Sequence, residues 1–326
     1  MTTLVIGGAG FVGLNIVERL LQEGASVRLF DRVSPPESAL RQFADLPGRL
    51  DVRLGDVTCH EDVHAAIDSS IVTIVLGAAI TANSHRDDTD PSTVLAVNLS
   101  AVEPILAAAR DAQVGRVVNL SSVAAFGRWM YTNQLLSEVT PCEPESLYGI
   151  TKLASEQIGR RLASLWKFEF VSLRLSAVFG PWERANEARE TLSPQTQMLT
   201  LMDAGKDAVL ARAGFRDWIY SRDVADAVAR IVTAPAPLPR DLYLLSSGQY
   251  WSALAWGEAL AVRHPGWRCR LAEPGEKPSV ALYAARDRNS LDTTRLAFDL
   301  KWHAGFDMDA TVEDIEAWRA SIAPVE

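Results

Sequence analysis

The chain opens with Gly7-Gly8-Ala9-Gly10-Phe11-Val12-Gly13 directly after the apolar run Leu4-Val5-Ile6. Glycines in that order, between a buried strand and a helix, hold a diphosphate with backbone alone. Gly7 would make the turn, Gly10 would let the main chain approach the phosphates, and Gly13 would let the helix pack close to the sheet. Phe11, Val12 and Gly13 would present first-turn N–H groups and the positive end of the helix dipole. Val12, Ile16, Val17, Leu20 and Leu21 repeat at helical spacing, which supplies the helix this motif requires. Asp31 follows eighteen residues after Gly13, at the carboxyl end of Ala25 to Phe30. A carboxylate there accepts bonds from both adenosine ribose hydroxyls and repels a 2′-phosphate, which favours NAD over NADP; the adjacent Arg32 would soften that preference. The alternative is that Asp31 only caps its strand. Tyr148 and Lys152, four apart in the helical stretch Leu147 to Trp166, share one face. Ser121-Ser122 ends the strand Arg116 to Leu120, where a hydroxyl points into a ligand crevice. His60-Glu61-Asp62-Val63-His64 offers a competing zinc-protease pattern. Thr58 and Glu61 also form a capping box for a short helix, with Val63, Ala66 and Ile67 inward and the histidines toward solvent. His85, His264 and His303 supply no third ligand, so no metal is expected.

Elements to position these groups alternate through the first 175 residues. Leu50 to Leu54 and Ile71 to Leu76 read as strands, Pro91 to Ala112 as a helix, and Phe170 to Leu175 as a further strand. Strand–helix alternation gives an α/β fold, a doubly wound parallel sheet of Rossmann type, with its ligand beyond the strands' carboxyl ends. After Gly180-Pro181 the periodicity loosens, and Trp182 to Pro194 reads as a substrate-side loop. Asp217 to Tyr220, a helix from Asp223 to Thr233 and Leu242 to Leu245 read as a return to the sheet. The expected division is a dinucleotide-binding domain over 1–180 and 217–247, and a smaller, mostly helical substrate lobe over 181–216 and 248–326. Trp251, Trp256 and Trp267 form that lobe's core or stack a sugar or base.

The 326 residues, 48% hydrophobic with a net charge of −9, describe a globular protein, and the absence of a basic run argues against nucleic acid. Three scattered cysteines imply no disulfide framework. The first strand starts by residue 4, leaving no room for a signal peptide, and the apolar stretch Ile71 to Ala82 is too short for a bilayer. No membrane partner and a cytoplasmic location are expected.

With the glycine turn, the strand-end serine and the Tyr-x-x-x-Lys pair in place, the chain resembles the extended short-chain dehydrogenase/reductases, the group of sugar-nucleotide epimerases and their relatives. Leu54-Gly55-Asp56-Val57, Leu76-Gly77-Ala78-Ala79, Val97-Asn98, Leu120-Ser121-Ser122, Tyr148-Gly149-Ile150-Thr151-Lys152, Phe179-Gly180-Pro181 and Arg216-Asp217-Trp218-Ile219-Tyr220 carry the likeness in order along nearly the whole chain. The resemblance implies that Tyr148 is the general acid/base, that Lys152 favours its phenolate and holds the nicotinamide ribose, and that Ser122 orients the substrate oxygen. It implies Asp56 and Val57 at the adenine, Ala78 and Ala79 along the cofactor, and Asn98 in a water relay or in helix packing. Two departures bear on the reaction. Val123 and Ala124 replace the Asp-Glu pair of the 4,6-dehydratases, which disfavours dehydration and, equally, the decarboxylases. Ala177 replaces an asparagine that anchors nucleotide sugars. Arg216 stands where the resemblance places a diphosphate-binding arginine, with Arg286 or Arg288 as a second clamp. The alternative for Arg216 is a salt bridge to Asp217 or Asp223. The implied activity is NAD-dependent oxidation, reduction or 4-epimerisation of a carbohydrate, preferably a nucleotide sugar. A free sugar or sugar acid is the second possibility, and a non-catalytic NAD(P)-sensing regulator the third. A homodimer pairing through the helices at 91–112 and 147–166 is also implied.

Overall fold

In the computed structural model, which describes residues 1–81, 83–132, 135–189 and 191–322, twelve strands are distributed over three sheets. They are β1 (Thr2–Ile6), β2 (Ser26–Asp31), β3 (Arg49–Leu54), β4 (Ile71–Leu76), β5 (Arg116–Ser122), β6 (Glu169–Leu175), β7 (Ala177–Phe179), β8 (Ala208–Leu210), β9 (Phe215–Tyr220), β10 (Leu242–Leu245), β11 (Tyr250–Ser252) and β12 (Cys269–Leu271). The main sheet is parallel in the order β10-β6-β5-β4-β1-β2-β3. The strand order reverses between β1 and β4, so the switch point of this doubly wound fold lies between their carboxyl ends.

Side-chain alternation divides the core. Val5, Val118 and Val171 face the helices Phe11–Gln22 and Ser221–Thr233. Leu4, Ile6, Ile74 and Val117 face the opposite layer, which includes Val63, Ile105 and Ala163. Strands buried on both faces read as continuous apolar runs, which is why β1 and β4 were legible from sequence. At full burial each such side chain contributes about 1.5–3 kcal/mol.

Two expected elements differ. The helix over 91–112 is continuous from Pro91 to Asp111 but contains a π turn at Ala96–Ser100 between α-helical Pro91–Leu95 and Val102–Asp111. It is also long and apolar enough to cross a membrane by length and composition, a property that packed core helices share. β9 does not rejoin the main sheet: it pairs with β7 and β11 in a separate three-stranded sheet. The return is made by helix Ser221–Thr233 and by β10 against β6. The lobe therefore carries small sheets as well as helices. Trp256 is fully buried and Trp267 nearly so, both beside Trp218 and Phe179, and Trp251 packs against them. Their indole N–H groups are used internally, Trp256 on Thr311 at 3.0 Å and Trp267 on the Lys206 carbonyl at 2.8 Å. These tryptophans form the lobe core.

Candidate active site

Gly7 has φ +79°, and a Cβ there would lie 2.6 Å from the Ala78 backbone nitrogen, so the turn after β1 is pressed against the turn after β4. A Cβ on Gly13 would lie 2.2 Å from the Gly7 carbonyl oxygen, which fixes the close approach of the helix. Gly10 differs: its Cβ would meet only the Gly7 oxygen, at 3.1 Å, so one face of the turn stays open. Gly10 caps the helix Phe11–Gln22 with no side-chain bond, which leaves the first-turn N–H groups of Phe11, Val12 and Gly13 for an anion. Asp31 accepts from the Ala9 N–H at 3.0 Å and the Val33 N–H at 3.2 Å, and burial raises its pKa. Arg32 is exposed and paired with Glu187 at 2.6 Å. The Gly55 N–H bonds to the Asp31 carbonyl at 3.0 Å, bringing Asp56 and buried Val57 to the same strand end. Asp56 accepts from the Thr58 N–H at 2.8 Å, the main cause of its lowered pKa. An open glycine cradle, uncapped N–H groups and a carboxylate at the second strand's end fit a dinucleotide.

Ser122, Tyr148 and Lys152 converge beyond β5. Ser122 Oγ accepts from the Ala124 N–H at 3.1 Å, which leaves its own hydrogen to donate toward the Tyr148 phenol. The Tyr148 phenol lies within hydrogen-bonding reach of the Ser122 and Thr81 hydroxyls. Burial pushes that phenol above its ordinary value, while the Ser122 bond and the nearby Arg189 and Arg288 pull it down. Lys152 Nζ donates to the Leu120 carbonyl at 2.7 Å and lies 5.8 Å from the Tyr148 ring centroid. Burial lowers its pKa to about 8, with Glu156 opposing. Glu156 is clamped by Arg174 through bonds of 2.9 and 2.7 Å and accepts the Ser121 hydroxyl, locking the helix that carries Tyr148 against β5 and β6. The π turn places the Asn98 side chain on Ile80, accepting from its N–H at 2.7 Å and donating to its carbonyl at 3.0 Å. Asn98 thereby holds the Ala78–Thr81 run.

Arg216 shows where a second ligand group belongs. It is 2% exposed, with its guanidinium carbon 5.4 Å from the Trp218 ring and 5.1 Å from the Tyr283 ring. Both terminal nitrogens are buried without partners. The expected salt-bridge alternative is overturned, because neither terminal nitrogen of Arg216 bonds either carboxylate among the described residues. Asp217 accepts the Leu291 N–H at 2.7 Å and Asp223 the Gly305 N–H at 2.7 Å. Burial and the like charge of Arg288 bring Arg216 down to about 9, so it remains a cation at neutral pH. Ala177, Arg216 and Arg288 line one small cavity with Val123, Met130 and Leu291. Arg286 is set apart from it, exposed, with its guanidinium 4.7 Å from the Tyr131 ring centroid.

Asp217 supports this cavity and gives a pH signature. Burial raises its pKa to about 6, against bonds from Leu291, Ser246 and Gly248. A folded value above the unfolded one means the stability is complete below about pH 4 and falls until the pH passes about 6. Urea titrations of the wild type and Asp217→Asn at pH 4 and 7.5 should show the difference moving about 2 kcal/mol in the variant's favour. A difference that does not change with pH would refute this.

Sequence reasoning missed Thr81, Arg189, Tyr283 and Glu156, because each acts through a fold contact and not through a motif. The loop after Gly180 is also placed differently from expectation, packing against the dinucleotide side. Arg184 donates to the Ala9 carbonyl at 2.7 Å, and the Thr81 N–H donates to the Ala188 carbonyl at 2.8 Å. The helix His60–Ala66 is real, but its cap is Cys59 with no side-chain bond, and the Thr58 hydroxyl bonds Asp56 at 2.7 Å. The expected capping box is absent. His60 and His64 face solvent while Val63 and Ala66 are buried.

A parallel sheet with a glycine turn at its switch point and a Ser–Tyr–Lys cluster beside it defines a short-chain dehydrogenase/reductase of the extended type. The model of the NAD dependent epimerase/dehydratase family matches residues 3–244, and the chain belongs to that family. It is 28% identical to a dTDP-glucose 4,6-dehydratase of Mycolicibacterium smegmatis, covering 72% of this chain and 69% of that one. It is also 28% identical to sterol demethylase protein B of Methylococcus capsulatus, covering 84% and 78%. The structure of UDP-glucuronic acid 4-epimerase from Bacillus cereus in complex with NAD superposes with a TM-score of 0.81 at 17% identity, over 99% of this chain and 100% of that one. NAD is the family's cofactor. A dehydratase among the relatives removes the support for disfavouring dehydration from Val123 and Ala124 alone.

Proposed function

We propose that this enzyme oxidises and reduces a carbohydrate hydroxyl, either as a dehydrogenase or as a 4-epimerase, and that its substrate is a nucleotide sugar. The observation that carries this is Arg216, a buried guanidinium without a counter-ion, in a cavity lined also by Val123, next in the chain to Ser122, and by Arg288, whose charge acts on the Tyr148 phenol. A substrate with an anionic group at one end and a reacting hydroxyl at the other would answer to both groups. Guanidinium forks suit diphosphate and carboxylate alike. A sugar acid is the second reading, favoured by Ala177, which has no amide to offer.

Residues 1–180 and 217–247 would hold the cofactor, with Gly7 to Gly13 at its diphosphate, Asp31 at the adenosine ribose, Asp56 and Val57 at the adenine, and Ala78 and Ala79 along it. The segments 181–216 and 248–326 would hold the substrate. When bound, NAD supplies a two-electron acceptor or donor at nicotinamide C4. Ser122 would turn its hydroxyl hydrogen from the Tyr148 phenol to the substrate oxygen and fix that oxygen beside Tyr148. In oxidation the phenolate of Tyr148 takes the hydroxyl proton as hydride leaves the same carbon; in reduction the phenol returns the proton. Lys152 would hold the nicotinamide ribose, and as a cation it would favour the phenolate against the burial that opposes it. A homodimer through the helices at 91–111 and 147–166 is supported by Leu95, Ile150, Ile158 and Leu165, which are exposed there. Its check is the mass in solution.

The test is to follow NADH absorbance while offering UDP-, dTDP- and GDP-sugars, uronates and aldonates. Turnover with no net NADH identifies an epimerase, and stoichiometric NADH a dehydrogenase. Turnover of free sugar acids alone would overturn the nucleotide-sugar reading, and a dehydrated product would overturn simple redox chemistry.

A further inference from the structure

The segment from Trp182 to Arg189 crosses the carboxyl ends of β1 and β4 as a strap fastened along its length. Trp182 has φ +67°, and its indole N–H donates to Glu18 at 2.9 Å. Glu183, its carboxylate fully buried, accepts the Ser193 N–H at 2.9 Å, the Thr196 hydroxyl at 2.6 Å and Arg189 Nε at 2.9 Å. Glu187 pairs with Arg32, and Ala188 accepts from Thr81. Every fastening so far pairs donor with acceptor.

Arg184 is the exception. One terminal nitrogen donates to the Ala9 carbonyl at 2.7 Å, inside the glycine turn, and the other is buried with no partner. Asp31 is the neighbouring anion, yet it takes its bonds from the Ala9 and Val33 N–H groups and makes no ion pair with Arg184 among the described residues. The turn itself, residues 7–13, contains no Lys or Arg. A cation half-buried beside an anion-binding turn, with one donor unused, lacks an anionic partner. The dinucleotide that this turn accommodates carries that anion as its diphosphate.

We propose that Arg184 is a ligand of the cofactor diphosphate, delivered from the lobe side by the strap and closing over a dinucleotide that the glycine turn holds from below. The glycine turn supplies neutral backbone donors, and Arg184 supplies the charge. Since Glu183 joins the strap to the helix Pro194–Asp203 of the substrate lobe, cofactor occupancy and the placing of that lobe are linked.

The test is binding, not turnover. NADH, NADPH, ADP-ribose and adenosine are titrated into the wild type, Arg184→Ala and Arg184→Gln, with Arg41→Ala, an exposed change on another helix, as control. Arg184→Gln keeps a donor for the Ala9 carbonyl and removes the charge, so it separates loss of the cation from loss of the strap's fastening. Both Arg184 variants should bind NADH and ADP-ribose about tenfold to a hundredfold more weakly, with adenosine unchanged. Wild-type affinity for NADH in a folded Arg184→Gln protein would overturn the proposal, as would an equal loss for adenosine. A change confined to NADPH would assign Arg184 to the 2′ position and overturn it as well. Failure of the unaltered protein to bind NADH would remove its premise, a result distinct from any of these.

Discussion

Tyr148→Phe should reduce turnover about 10²- to 10⁴-fold and leave the affinity for NADH within about twofold. The substitution removes one oxygen and retains the ring. The helix Leu147–Trp166 is held elsewhere, by the Ser146 cap on the Gly149 N–H at 3.1 Å and by the Glu156–Arg174 clamp, so the fold does not depend on this hydroxyl. On the proposed mechanism, what is lost is the group that moves the proton, and neither neighbour replaces it. Ser122 is a hydroxyl of far higher pKa, and Lys152 is turned onto the Leu120 carbonyl. The loss should fall on kcat, because the proton moves only in the transition state. An NADH-sensing regulator, by contrast, would keep all of its function in this variant. Unchanged turnover would show that the phenol is not the acid/base, and a large loss of NADH binding would show that it serves the cofactor instead.

The contrast between Tyr148 and Arg189 shows what a sequence can and cannot display. Tyr148, Lys152 and Ser122 were legible because two share a helix face and the third ends a strand. In a parallel sheet, a strand's carboxyl end has only one place to be. Gly7 and Gly13 were legible because each answers a steric demand that only glycine meets, and Gly10 because it stands between them at the spacing of the motif. Arg189 approaches the same phenol, but it does so from a loop without periodicity, and its guanidinium also lies 5.0 Å from the Phe11 ring centroid. Nothing in its spacing announces that. The route of the 182–189 strap was hidden for the same reason, since loops are placed by what they touch. β9 was misassigned to the main sheet because an apolar strand looks alike in either sheet, and pairing partners leave no mark on local pattern. The π turn was equally silent, although Asn98, the residue it displaces, was already in view.

Substituting Arg216 should have opposite effects on stability and binding, and that opposition is the best evidence obtainable for a site. In the unliganded protein, the guanidinium is fully desolvated, its two terminal nitrogens bond to nothing, and Arg288 repels it. The rings of Trp218 and Tyr283 offer only partial compensation, of the order of 1–2 kcal/mol. A buried charge without a counter-ion costs several kcal/mol, so Arg216→Met, of similar length and apolar, should be neutral to stabilising by about 1–3 kcal/mol. Binding should respond the other way. If Arg216 receives the substrate's diphosphate, removing it should weaken UDP or the substrate about 10²- to 10³-fold. The effect should appear mainly in KM, because the contact lies away from the reacting carbon and serves ground and transition states alike. Urea denaturation and calorimetric titration with UDP on one protein preparation check both halves. A variant destabilised by several kcal/mol that still binds UDP would reduce Arg216 to a packing residue between two rings. A more stable protein that has lost its ligand would show that the fold tolerates this unpaired cation for what it binds.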